Sequence, residues 1–138
     1  MDRRRSPKRG TILDLFDDLV YFTRVFPHRN LVLEVPLVEI EELRYPGHGR
    51  RRRRRANDFQ IEDQRLVNLR ESIELRTTSD LLSLLPDSLP APFDTAHLAE
   101  AMNISRYVAQ RIAFCLRETG ATKQVGKTGN TRLYRRAA

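Results

Sequence analysis

The sequence predicts an α+β fold: an N-terminal helix and antiparallel strands packed with a C-terminal pair of short helices and a hairpin. Three observations carry that expectation. Apolar residues recur at helical spacing near the N terminus and again after Phe93. Between Leu31 and Ile61 they alternate with polar ones, as in strands. Beyond Gly120 the chain is basic, with glycines where a turn would fall.

Residues 1–10 are basic, contain Ser, Pro and Gly, and lack apolar anchors, so a disordered arm is expected. Ile12 to Phe26 then reads as an amphipathic helix with Ile12, Leu15, Phe16, Leu19, Val20 and Phe22 on its buried side. Leu31, Leu33, Val35 and Leu37 alternate like a strand. Val38, Ile40 and Leu43 continue the signal with a phase change near Pro36, and that proline restricts the strand to an edge or a bulge. Phe59 and Ile61 alternate again after six consecutive arginines, Arg50, Arg51, Arg52, Arg53, Arg54 and Arg55, which are expected in a long hairpin loop and the start of its return strand. Residues 62–76 suit a helix through Leu66, Leu69 and Ile73, or a strand through Ile73 and Leu75.

Ser79, followed by Leu81, Leu82, Leu84 and Leu85, reads as a short capped helix stopped by Pro86. Pro86, Pro90 and Pro92 form a stiff link into Phe93. From a cap at Asp94 or Thr95, Leu98, Ala99 and Met102 give one buried stripe before Asn103 breaks the pattern and Ile104 fills the turn. Ser105 is placed to cap a second helix, Val108, Ile112, Cys115 and Leu116 form its narrow apolar face, and Gly120 ends it. Its outward side is expected to carry Arg106, Gln110, Ala113 and Arg117. That set suits a groove: Arg pairs bidentately with guanine, Gln with adenine, and a small residue permits close approach. In the hairpin that follows, turning at Gly126–Asn130, Val125 and Leu133 are expected inward, with Lys123, Lys127, Arg132, Arg135 and Arg136 in water and available to phosphates.

Through Phe93, Leu98-Ala99, Ile104, Ala109, Leu116, Gly120-Ala121 and the Gly-Lys-x-Gly-Asn turn ending in Leu133-Tyr134-Arg135, residues 78–136 resemble the winged helix-turn-helix DNA-binding superfamily. They are also similar to the C-terminal end of an uncharacterised bacterial family. The resemblance implies a three-helix core, a recognition-type helix at Ser105 to Thr119 and a hairpin wing. It leaves the ligand open, since winged helices also dock proteins. The expected organisation is a basic arm (1–10), an α+β module with an arginine-rich hairpin loop (11–76) and a winged helix-turn-helix module (77–138).

The net charge of +7 is unevenly spread. Residues 1–10 hold five cations and one anion, residues 44–55 seven arginines and no anion, and residues 103–138 eight cations and one anion, which leaves −11 for the remainder. Such segregation focuses field on a polyanion. The arginine run has two readings, a second phosphate-binding element or a partner for Glu39, Glu41 and Glu42 on the preceding strand. No apolar run approaches the ~18 residues of a membrane span, and a secretory signal is not expected. The lone Cys115 falls on a predicted buried face, which suits a core thiol in a reducing cytoplasm and leaves no disulfide or cysteine metal site.

Catalytic signals are weak. Gly120 with Gly126-Lys127-Thr128 imitates a phosphate-binding loop, but it has one residue too many and leads from a helix into a hairpin. His28, His48 and His97 are mutually isolated. Glu34, Glu39 and Glu41, with Arg44 as the nearest cation, loosely suggest a metal-dependent nuclease, yet the lysine such a core wants is missing. The expectation is therefore a non-enzymatic nucleic-acid-binding protein without a cofactor, with duplex DNA as the first ligand, RNA open, and a transcriptional role following from it. A protein docking module or accessory subunit is the alternative, and the metal-dependent nuclease is third.

Overall fold

The computed structural model describes residues 10–46 and 59–137, apart from the side chains of 42–46, 59–65 and 67. The architecture is α+β, with short helices and two antiparallel two-stranded sheets. Two compact units form, one from the described residues of 1–35 together with 74–138, the other from those of 36–73. This division departs from a linear one at residue 76. The reason is local: the helix α1 (Leu15–Leu19) packs on α4 (Arg106–Glu118), so the N-terminal segment joins the C-terminal elements.

In the first unit, a 3-10 turn at Ile12–Asp14 leads into α1. The Thr11 amide donates to the Asp14 carboxylate at 2.9 Å and starts the turn. A single helix from Ile12 to Phe26 does not form; α1 ends at Leu19 and the chain continues in turns. Val20, Tyr21, Phe22 and Thr23 are all β-branched or aromatic, types that lose side-chain freedom in a helix. Leu15, Phe16, Leu19 and Phe26 still reach the core.

The helix α2 (Thr78–Leu82) is capped by Thr77, two residues before the expected cap. The Asp80 carboxylate accepts from the amides of Arg76 (2.7 Å) and Thr77 (3.0 Å). Those two bonds hold its pKa below the ordinary carboxylate value. The helix α3 (Thr95–Met102) is capped by Asp94, whose carboxylate accepts from the His97 amide at 2.9 Å while His97 Nδ1 accepts from the Asp94 amide at 2.9 Å. Asn103 closes α3 in the left-handed region, φ 53°. The Ser105 hydroxyl then accepts from the Val108 amide at 3.2 Å and starts α4. Gly120, at φ 85°, turns the chain into β3 (Thr122–Thr128), which pairs antiparallel with β4 (Thr131–Arg136). Phe93 and Tyr134 exchange backbone hydrogen bonds at 2.9 and 2.8 Å, so the link before α3 adds a bridge to the hairpin. Leu81, Phe93, Leu98, Ile112 and Leu116 are buried in this unit.

The second unit is the ribbon of β1 (Leu33–Pro46) and β2 (Phe59–Leu75), both longer than the unit's own bounds. The ambiguous stretch 62–76 is thus strand up to Leu75. Along β1 the odd positions 33–41 are half-buried and the even ones exposed, with no phase change at Pro36. Val38 and Ile40 consequently face solvent, while Glu39 and Glu41 share the Leu37 side. Pro36 occupies an exposed position in a two-stranded ribbon, where every strand is an edge. No helix among the described residues is long and apolar enough to cross a membrane.

Candidate nucleic-acid interface

The helix α4 packs against α1, α2 and α3, so it buries a broad arc. Ala109, Ile112, Ala113, Cys115 and Leu116 fill about 160° of its circumference at about 100° per residue. Ala113, expected on the outward face, is therefore only 2% exposed. Arg106 and Gln110 are exposed and Arg117 is half-buried, as a stripe along one flank. The middle of the exposed arc carries two residues the periodicity did not single out, Tyr107 (67% exposed) and Phe114 (40%). Helical spacing identifies an outward face, but the centre of that face depends on how many neighbours the helix packs against.

Polar contacts organise this surface. Arg106 donates to the Thr95 hydroxyl at 3.2 Å and ties α4 to α3. Arg117 pairs with Glu118 at 3.1 Å and lies 5.8 Å from the centre of the Phe114 ring. Arg111 is ion-paired with Asp17 of α1, donates to the Tyr107 hydroxyl at 2.6 Å and sits 4.8 Å from the Tyr107 ring centre. The hydrogen bond to Asp17 raises the pKa of Arg111 further above its ordinary value. Gln110 has no side-chain partner among the described residues.

The hairpin supplies five more cations, four of them in cross-strand pairs. Lys123 lies opposite Arg135, and Lys127 opposite Arg132. All four are exposed, and none of their side chains has an ion-pair or hydrogen-bond partner among the described residues. No carboxylate side chain follows Glu118 in the sequence. The register slips between Gln124 and Gly126, leaving Val125 as a bulge. Because a bulge inverts the alternation, the two like-charged pairs occupy opposite faces of the ribbon. It also overturns the inward placement of Val125, which is 48% exposed, and Tyr134 at 6% takes the core position beside Phe93. Leu133 is half-buried. The turn is the two residues Gly129-Asn130, with positive φ (64°) at Gly129, as a type II′ hairpin turn requires. Arg136 is not free for a ligand, since it donates to the Pro86 carbonyl at 2.8 Å.

The remaining candidates do not converge. Arg50, Arg51, Arg52, Arg53, Arg54 and Arg55 lie outside the described residues, as do His48 and residues 1–9 of the N-terminal arm. Glu34 falls on the opposite side of β1 from Glu39 and Glu41, and Glu39 is engaged by Arg70. No group of three potential metal ligands occurs among the described residues. His28 Nδ1 accepts from the Asn30 amide at 3.0 Å, and His97 belongs to the α3 cap. A shallow depression lined by Leu13, Leu84, Leu85, Pro86, Ala101 and Met102 contains no titratable side chain.

Fold and surface together define a small α+β protein with a cationic helix and hairpin. The chain belongs to the family of a domain of unknown function, DUF8091, which matches residues 1–76. That match covers α1, β1 and β2 and leaves α4 and the hairpin outside it. The chain is also similar to an uncharacterised protein of Treponema pallidum (strain Nichols), 26% identical over 133 residues, 96% of this chain and 51% of that protein. It thus spans about half the length of this relative. No solved structure matches.

Proposed function

We propose that the chain binds nucleic acid, duplex DNA in the first instance, through α4 and the β3–β4 hairpin. One observation carries the reading: two like-charged pairs, Lys123 with Arg135 and Lys127 with Arg132, stand directly across the hairpin with no side-chain partners among the described residues. Like charges in opposed positions destabilise a sheet. A phosphate backbone placed against them removes that repulsion and releases condensed counterions. The division of the pairs between both faces of the ribbon suits a tip that enters a groove between two phosphate strands.

In this reading Lys123, Lys127, Arg132 and Arg135 contact phosphates and fix the register, while Arg106, Gln110 and Arg117 reach base edges. Arg106 then exchanges Thr95, and Arg117 exchanges Glu118, for the ligand. A non-catalytic, DNA-associated role such as transcriptional regulation follows. The buried, unpaired Cys115 suits a reducing cytoplasm.

The test is fluorescence anisotropy with labelled duplex across a salt series. The intact chain is expected to bind with a slope of about −0.9 per phosphate neutralised. Replacing Lys123, Lys127, Arg132 and Arg135 by Gln flattens that slope by up to about 3.6, four such contacts. Charge reversal at Arg106 with Arg117 weakens binding further; unchanged affinity removes α4 from the interface. Absence of binding at ~50 mM salt, where phosphate contacts are strong, overturns the reading in favour of a protein docking module.

A further inference from the structure

We infer that Tyr107 and Phe114 form a stacking platform for unpaired bases, so that the chain prefers nucleic acid with a single-stranded stretch beside its duplex. The inference rests on the nucleic-acid reading above and names the form of ligand that α4 takes.

The two rings lie seven residues apart, about 20° from one another around the helix and about 10.5 Å along it, on a single exposed stripe. Each has an arginine over or beside it, at 4.8 Å for Tyr107 and 5.8 Å for Phe114. Arg111 is itself held by Asp17 and by the Tyr107 hydroxyl. The Tyr107 ring is therefore oriented before any ligand arrives, which lowers the ordering cost of binding.

A helix that reads an intact major groove meets hydrogen-bond donors and acceptors, with the thymine methyl as the apolar feature. Two aromatic rings in the middle of the exposed arc match that surface poorly. They match the flat face of a base, which becomes available when the base leaves the stack. Charge selects the class of partner. Residues 103–138 hold eight cations against the single carboxylate side chain of Glu118, and Arg117 already engages it. Aromatic faces within a cationic surround are complementary to a polyanion that carries π surfaces, which is how sequence-tolerant binders of single strands work.

The experiment compares the full-length chain and its Tyr107→Ala/Phe114→Ala and Tyr107→Phe variants on three DNA probes: a blunt duplex, the same duplex with a short single-stranded tail, and the tail alone. The tail carries 2-aminopurine, whose fluorescence is quenched when it stacks. The tailed duplex is expected to bind the intact chain about tenfold or more tightly than the blunt one, within what base–aromatic stacking supplies, and to be quenched. The double alanine variant loses both the ratio and the quenching while keeping its affinity for blunt duplex. Tyr107→Phe keeps the quenching and most of the ratio, because the ring is the platform and the lost hydroxyl removes only its orienting bond with Arg111. Equal affinity for blunt and tailed duplex, or an unchanged ratio in the double variant, overturns the inference and leaves the nucleic-acid reading standing. Failure of every probe to bind the intact chain overturns both. Loss of a co-purifying protein in the double variant, with the probe preference intact, assigns the rings to protein docking and also overturns the inference.

Discussion

Cys115 lies on the buried face of α4 with Sγ 3.8 Å from the Phe16 carbonyl oxygen, and burial pushes its pKa from 9.0 up to about 11. The folded protein therefore disfavours the thiolate. An acid whose folded pKa exceeds its unfolded one holds its full stabilising share below the unfolded value and loses it as pH rises toward the folded value. For Cys115 that window is 9.0 to about 11. Thiol-reactive dye is expected to label the native chain slowly at neutral pH and the urea-unfolded chain fast. Denaturant midpoints should fall across the alkaline window, and Cys115→Ala should remove that part of the fall. Rapid native labelling would place the thiol within reach of solvent and sink the assignment of a buried, unreactive core residue.

Among the elements, the hairpin sets stability against binding. Lys127 and Arg132 face one another without a carboxylate between them. Lys127→Glu converts the repulsive pair into an attractive one and is expected to stabilise the protein by about 0.2–1 kcal/mol in thermal or urea unfolding, the range for cross-strand pairs. The same change should weaken duplex binding. If stability and affinity rise together, phosphate does not sit on this pair. The elements differ in how far local chemistry specifies them. The α3 and α4 boundaries were legible because their caps are local: Asp94, Ser105 and Gly120 satisfy nearby backbone groups or take the left-handed turn themselves. The exposure of Lys123, Lys127, Arg132 and Arg135 was legible because charged residues around a glycine turn stay in water, whereas Arg136, expected there too, is drawn onto the distant Pro86 carbonyl. Where tertiary contacts decide, sequence reading fell short. Residues 62–76 alternate weakly and become strand only through pairing with β1. Ala113 is buried because α4 has neighbours on several sides, and one bulge turns Val125 outward. That broad burial also displaces the centre of the exposed arc to Tyr107 and Phe114.

For the whole molecule, the question is which basic patch a polyanion meets. The strands β1 and β2 contain eight carboxylates and three arginines, whereas residues 103–138 carry a net +7. The excess of cations in residues 103–138 attracts a polyanion and speeds encounter at low ionic strength. Arg50 to Arg55 add six charges that act at long range whatever contacts they make. Replacing all six by Gln takes the formal net charge from +7 to +1. If α4 and the hairpin hold the ligand, this variant loses association rate at low salt, where the Debye length is about 30 Å at 0.01 M. It retains most of its duplex affinity at physiological salt, where that length is about 8 Å. The dissociation rate stays near that of the intact chain, because the short-range contacts are untouched. Stopped-flow association and competitor-chase dissociation separate these quantities. Binding abolished by loss of the arginines but unaffected by the fourfold Gln substitution in the hairpin would place the phosphates on the arginine run, and α4 with its hairpin would then have no share in holding them.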